Sequence, residues 1–399
     1  MPQLTLLEWI CLIPVAGGAV YYLLTVLTMW RFCLRPAAPE PAHWPAVSIL
    51  KPVYGLEKNL YENLRTTCLQ DYPEYEVVFS LQRFDDPALP LLHRLRGEFG
   101  SDRVRIVVDE KRPGSNGKIN NLAGGVPHAR HDIFVISDSD IRMDPGYLKA
   151  IVAPLLADPE AGYICTPYKA AEAHRWFEKF ELLSLNADFM PSVVFASETK
   201  LSGFCLGASI AFRREMLDRI GGIEDLADYL VEDYEMGRRI AELGARQIFI
   251  PRFIDTMVDL KTPSQWWNHQ VYWDQNTRAA RPAAFFLTFL IRSVPFAAVF
   301  AAVRGGDAFG LAVLAGALGI RWLTSAIVLA AMRDTEGLRA LPWLPVRDVL
   351  GFLSWLLAFV RRTTHWRGTD FILTADGRLL PATPPDETPD PAKATRAGV

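Results

Sequence analysis

The chain has 399 residues, half of them hydrophobic, and a formal net charge of −3. That is too much apolar content for one small soluble domain, and it suits a catalytic domain joined to membrane segments. The near-neutral charge gives no basic footprint for nucleic acid. The five cysteines (Cys11, Cys33, Cys68, Cys165 and Cys205) form no CxxC pair and no Cys/His ligand spacing, which argues against a zinc site or a disulfide frame.

Residues 9–30 carry no charge. At about 1.5 Å per residue, such a run crosses a hydrocarbon core of roughly 30 Å. Glu8 precedes it and no Lys or Arg does, which makes it a poor signal peptide. Arg31 and Arg35 follow at once. By the positive-inside rule they stay in the cytoplasm, with the domain that follows them.

From about residue 44 to 260 the pattern alternates. Residues 46–50, 75–81, 104–108 and 133–136 are short apolar, β-prone runs, and 57–69, the stretch after Asp86-Pro87, and 118–122 are helix-like. Strands alternating with helices predict a mostly parallel α/β sheet, with ligands beyond the carboxyl ends of the strands. Acidic residues fall at those ends: Asp85 and Asp86 after one strand, Asp138 and Asp140 after another. GxGxxG and GxxxxGK[ST] are both missing, against a dinucleotide enzyme or a P-loop ATPase.

Asp138-Ser139-Asp140 presents two carboxylates where a ligand would sit. Together they can share one Mg²⁺ or Mn²⁺, cations that prefer oxygen ligands and keep substrate phosphates in their shell. A turn with helix-capping aspartates is the alternative. Glu232-Asp233-Tyr234 opens a helical run, and Asp233 is either its cap or a general base for an attacking hydroxyl. Gly117-Lys118-Ile119-Asn120-Asn121 places a cation and two amides at a helix start. That is a polar wall for phosphate or ribose, or an ordinary capped turn.

Trp266, Trp267, Tyr272 and Trp273 cluster within residues 261–281, interleaved with Asn268, His269 and Gln270. They suggest a helix in the headgroup layer. Residues 282–303 and 309–332 are long enough to span, with Arg304 the one cation between them and Arg333, Arg339 and Arg347 beyond, a hairpin returning to the cytoplasm. Residues 349–360 are short for a span and fit a re-entrant or interfacial helix. Arg292 and Arg321 are intramembrane charges at similar depth, expected to line a polar pocket near an acceptor headgroup. Residues 361–399 read as a cytoplasmic tail, disordered after 382.

In order, Val47-Ser-Ile-Leu-Lys-Pro52, Asp71-Tyr-Pro-Glu-Tyr-Glu-Val77, Asp85-Asp86-Pro87-Ala88, Gly117-Lys-Ile-Asn-Asn-Leu122, Ser137-Asp-Ser-Asp-Ile141 and Val231-Glu-Asp-Tyr234 resemble the ceramide glucosyltransferases of glycosyltransferase family 21. The chain is also similar to bacterial hopanoid-biosynthesis glycosyltransferases. The resemblance implies a GT-A nucleotide-diphospho-sugar transferase fold with a Rossmann-like mixed sheet. It implies an inverting transfer of a hexose from a UDP-sugar to ceramide, or of N-acetylglucosamine to a hopanoid, at a bacterial inner membrane. Asp85 or Asp86 would meet uracil or ribose, and Asp138 and Asp140 the donor and an Mg²⁺ or Mn²⁺ ion. Asp233 would be the base, and Lys51, Pro52, Lys118, Gln270 and Trp273 would complete the donor site. The family's (Q/R)-x-x-R-W reads His269-Gln-Val-Tyr-Trp273 here, so its arginine is missing; Arg278 or Arg281 is the nearest substitute.

Overall fold

The computed structural model describes residues 4–201, 205–361, 363–366, 369–374 and 379–381. The tail expected to be disordered after 382 lies outside the described residues.

Among the described residues, ten strands lie between the N-terminal helix and the C-terminal apolar helices: β1 (Val47–Pro52), β2 (Tyr75–Leu81), β3 (Val104–Val108), β4 (Ile133–Ser137), β5 (Ile141–Arg142), β6 (Ala161–Cys165), β7 (Tyr168–Ala170), β8 (Ser209–Arg213), β9 (Arg246–Phe249) and β10 (Ile254–Thr256). Seven form one sheet in the order β3-β2-β1-β4-β8-β6-β9. All its strands run parallel except β8, which is antiparallel to both β4 and β6. Every residue of β1, β2 and β4 is buried, because helices cover both faces. That is why these strands read as unbroken apolar runs. Two polar residues inside them satisfy each other, Ser48 Oγ donating to Glu76 Oε1 at 2.8 Å. A second sheet, β5-β10-β7, abuts the first, and residues 138–140 link β4 to β5.

Three helices are long and apolar enough to cross a membrane: Leu6–Cys33, Ala308–Ala331 and Thr335–Val360. Pro282–Ile291 and Ser293–Val303 would add a fourth span if taken together, but they bend by 50° at Arg292. The last apolar segment therefore starts well before residue 349, and the first arm of the expected hairpin is broken in the middle. The anchor helix is not a tether. Met29 and Phe32, in its final turns, are buried in the main hydrophobic core, with the Phe32 ring 5.0 Å from that of Phe249.

Between sheet and membrane helices lies a segment for which the sequence pattern gave no reading. It comprises Trp176–Ser184, a π-turn at Leu185–Phe189, and Met190–Glu198. It joins the anchor through Tyr21, whose hydroxyl donates to Ser192 Oγ at 2.7 Å and whose ring meets Phe195 edge-on.

Arg292 and Arg321 do flank one side chain. The Arg321 guanidinium stacks on Tyr22 at 4.6 Å, and the Tyr22 hydroxyl donates to the Ile291 carbonyl. Their roles diverge. Arg321 is fully engaged, donating to both Asp348 oxygens at 2.8 and 3.1 Å and to the Ala187 carbonyl at 3.1 Å. It braces the bundle and does not line a pocket, because an intramembrane cation is tolerated once paired.

Candidate active site

The carboxyl ends of β2, β1 and β4 lie side by side, and the acidic residues gather there. Asp138 leaves β4 beside residues 207 and 208, its amide donating to the Ala208 carbonyl at 3.1 Å. Its carboxylate pairs with Lys118 Nζ at 2.8 Å, and the same ammonium pairs with Glu232 at 3.0 Å and donates to the Gly207 carbonyl at 3.2 Å. Gly207 in turn donates its amide to Asp233 Oδ2 at 2.6 Å. Asp138 and Asp233, 95 residues apart in the chain, are thus separated by one ammonium and a short stretch of backbone.

Glycine at 207 is required. A Cβ there would lie 2.8 Å from Asp233 Oδ2 and 3.1 Å from Lys118 Nζ. Asp233 also accepts from the Tyr234 amide at 2.7 Å in the first turn of the Glu232–Glu242 helix, whose N-cap is Val231, so Asp233 is not the cap. Burial and the neighbouring Glu232 charge push its carboxyl up to about 7, against Lys118 and the two amides, which act downward. Burial likewise raises Asp138 to about 6, with Lys118 opposing. Lys118 stays protonated far above neutral pH: burial opposes its charge, but Asp138, Glu232 and Asp233 outweigh it.

Asp140 turns the other way. It accepts from Thr256 Oγ1 at 2.8 Å, and burial and Glu57 raise its pKa. Glu57 accepts from Ser139 Oγ at 2.7 Å. Among the described residues no group of three or more His, Cys, Asp or Glu gathers to hold a metal. The loop offers two half-buried carboxylates, and a hard divalent cation that keeps water and diphosphate oxygens needs no more from the protein. The donor set fits such an ion.

Several residues expected to touch the donor make contacts within the scaffold. Lys51 is fully buried, and its ammonium donates to the Asp138 carbonyl at 2.6 Å, under the loop. Burial lowers it to about 8. Pro52 is buried beside it at the end of β1. Asp86 accepts from the Gly55 and Ala88 amides, shaping the turn after β2, whereas Asp85 is exposed and paired with Arg83. Asn120 closes a loop on Gly114 and Asn121 holds the Val53 carbonyl, so of the expected polar wall only Lys118 faces the acids. Gln270 is committed to Glu181 and Ser184. The Trp273 indole donates to His269 Nε2 at 3.0 Å, and His269 Nδ1 lies 2.9 Å from Glu181. Of the two candidate arginines, Arg281 donates to the Leu201 carbonyl.

Sequence reasoning missed Glu232, Gly207, Glu57, Glu181 and Tyr168. Glu232 stood beside a residue already singled out, but nothing local marks the others. Tyr168 is buried where the charges of Asp233, Asp138 and Asp140 all act on it.

An α/β sheet of this topology with an Asp-Ser-Asp loop at the end of β4 is a GT-A glycosyltransferase. The structure matches the Pyrobaculum calidifontis mannosyltransferase PcManGT, solved with GDP-Man and Mn²⁺, at a TM-score of 0.51 and 21% identity over 89% of this chain and 98% of that one. The chain belongs to glycosyltransferase family 21, whose family model matches residues 10–379. Curated relatives include ceramide glucosyltransferase 3 of Caenorhabditis elegans, 28% identical over 55% of this chain and 47% of its own length. The ceramide glucosyltransferase of Gibberella zeae is 33% identical over 35% of this chain and 29% of its own length. The matched region thus spans about half, or less, of each of these relatives.

Proposed function

We propose that this glycosyltransferase moves a hexose from a UDP-sugar to the hydroxyl of a membrane lipid, ceramide or a related sphingoid alcohol, with inversion at the anomeric carbon. The catalytic domain faces the cytoplasm, on the side of Arg31 and Arg35. The observation that carries the reading is the meeting of Asp138 and Asp233 around Lys118, at the sheet edge beside membrane-associated helices. The relatives' ceramide specificity supports the acceptor class.

Asp233 takes the proton from the acceptor hydroxyl as its oxygen attacks the anomeric carbon. The bond from that carbon to the diphosphate breaks on the opposite face, and UDP leaves. Asp138 and Asp140 would hold Mg²⁺ or Mn²⁺, which when bound supplies Lewis-acid neutralisation of the leaving diphosphate. Lys118 keeps Asp138 and Glu232 from repelling each other and fixes the 207–208 backbone against which Asp233 is set. A carboxyl held near neutral pH is suited to accept a proton and release it again.

The test is transfer from radiolabelled UDP-glucose to ceramide by purified protein with Mn²⁺, with UDP-N-acetylglucosamine and a hopanoid polyol as the alternative pair. Asp233→Asn should lose at least ~10²-fold in kcat, the usual scale of a general base. Parental turnover in that variant would sink the base assignment, and no transfer to any lipid would sink the function.

A further inference from the structure

Gly17 and Gly18 of the anchor helix lie where a Cβ would come within 2.5 Å of the Leu290 carbonyl oxygen and 2.6 Å of Ser293 Cβ. Small residues of this kind let helices approach closely in a membrane. Here the approach falls on the bend between Pro282–Ile291 and Ser293–Val303. The bend frees the Ile291 carbonyl, which the Tyr22 hydroxyl takes at 3.0 Å.

Two spaces of opposite character adjoin the bend. One is a cavity of about 90 Å³ lined by Tyr22, Asp188, Ser192, Arg292, Arg347 and Asp348, among others, with polar and apolar surface in equal measure. The other is a groove of about 400 Å³, almost wholly apolar, whose walls include Trp9, Ala16, Ala19, Ser293, Gly316 and Ile320. Arg292 lines the first and its neighbour Ser293 the second.

The cavity is not fully self-satisfied. Arg347 is spent on Ser184, Asp188 and Asp348, but among the described residues Arg292 gives one bond, to the Gly351 carbonyl, with its guanidinium over the Trp355 ring, and its Nε has no hydrogen-bond partner. A buried donor left unpaired in an apolar setting is costly and calls for a ligand. The lining carries two cations and two carboxylates. That balance suits a neutral group with both donors and acceptors, a hydroxyl or amide, over a phosphate.

Packed rings lead from the cavity lining toward the acids. Asp188 sits on the π-turn, a feature common at functional sites. The next residue, Phe189, packs on Tyr168 and Trp273 at ring separations of 6.4 and 5.7 Å. Tyr168 is the buried tyrosine on which Asp138, Asp140 and Asp233 act.

We propose that the Arg292 cavity and the Gly316 groove together seat one uncharged membrane lipid alcohol, its polar head in the cavity and one chain in the groove. This deepens the acceptor part of the function above and rests on it, but the seat can be tested without turnover.

The probe is a diazirine-tailed ceramide analogue in phosphatidylcholine nanodiscs, crosslinked by light and mapped by peptide mass spectrometry. Label should fall on residues 9–19 and 313–320 and be chased by unlabelled ceramide but not by added phosphatidylcholine. A Cβ at Gly316 meets no atom within 4 Å, and neither does one at Gly319, which is outside the groove lining. Gly316→Leu should therefore fill the groove without unfolding the bundle, cut the label severalfold and raise the acceptor KM about tenfold, while Gly319→Leu stays parental. Arg292→Gln should weaken competition by ceramide more than by an alkane-tailed analogue lacking the amide. Label spread evenly over the lipid-facing helices, or chased equally by phosphatidylcholine, would mean annular lipid only and overturn the seat. So would parental labelling and KM in Gly316→Leu. Groove labelling without any sugar transfer would keep the seat and overturn the function; transfer with label elsewhere would do the reverse.

Discussion

Replacing Gly207 by alanine is the sharpest probe of the acid cluster, since one methyl is added where backbone threads between base and ammonium. The new Cβ would stand 2.8 Å from Asp233 Oδ2, about 0.6 Å inside an ordinary 3.4 Å contact, and 3.2 Å from Asp233 Cβ. The neighbour is a short aspartate held by two amides, so it cannot swing away as a flexible tail would. The carboxylate must move by about half an ångström. A 1 Å misplacement in a catalytic constellation costs about 10²-fold, so roughly tenfold in kcat is expected here. A second consequence has a definite sign. The Gly207 N–H lowers the Asp233 pKa by bonding its charged form. Stretching that bond raises the pKa, so the rising limb of kcat against pH should move to higher pH and the deficit should shrink toward pH 9. The assay is UDP-glucose transfer across pH 6–9, with melting temperature as the control for folding. A variant whose kcat stays within twofold of the parent at every pH would refute the placement of Asp233 at the reacting centre.

In the parent, kcat should rise with pH through about 7, because Asp233 works deprotonated and its carboxyl is raised to about 7; a flat profile from pH 6 to 8 would count against it. The same shift bears on stability. A carboxyl whose folded pKa exceeds the usual 3.8 binds its proton more tightly when folded, so its contribution is full below 3.8 and is lost as pH rises from there to about 7; the melting temperature of metal-free protein should fall as pH rises toward 7 and level off above it. Chelation with EDTA should abolish transfer and Mn²⁺ or Mg²⁺ restore it; transfer unchanged by EDTA would remove the role given to Asp138 and Asp140. Arg321→Leu alone should cost about 3 kcal/mol by leaving Asp348 with Arg347 as its remaining cation, whereas Arg321→Leu with Asp348→Leu should recover part of the lost monodisperse protein in size-exclusion chromatography. Equal yields of the single and double variants would contradict the pairing.

What was legible followed short-range rules. Buried parallel strands announce themselves as apolar runs, and their ends carry the acids, so β1, β2, β3, β4 and the Asp138–Asp140 loop could be placed from pattern alone. The antiparallel β8 could not, since the direction of a strand leaves no mark in its composition. The segment 176–198 was opaque for a different reason. Its Glu181, Asn186 and half-buried Asp188 look like surface residues until their partners are known, and those lie 89, 148 and 159 residues away at Gln270, Asp334 and Arg347. Lys51 and Gln270 were read as donor contacts because their motif says nothing about which way a side chain faces; one is sealed under the loop and the other turned onto Glu181. Arg292 and Arg321 were equivalent as intramembrane arginines and were separated only by Asp348.

The seating of Met29 and Phe32 in the core of the catalytic domain has a bearing on how that domain sits relative to the bilayer. A hinge between anchor and domain would let the sheet tilt and lift from the bilayer, and the distance from active site to headgroups would fluctuate. Here the anchor's end is itself a piece of the domain's interior, so helix and sheet turn as one body and the height of Asp233 above the membrane is set by the fold. Cutting the chain after residue 35 to obtain a soluble enzyme would pull two filled sites out of that interior and leave cavities behind. The anchor is therefore a structural part of the catalyst, and studies of this chain need the whole of it in a lipid or detergent setting.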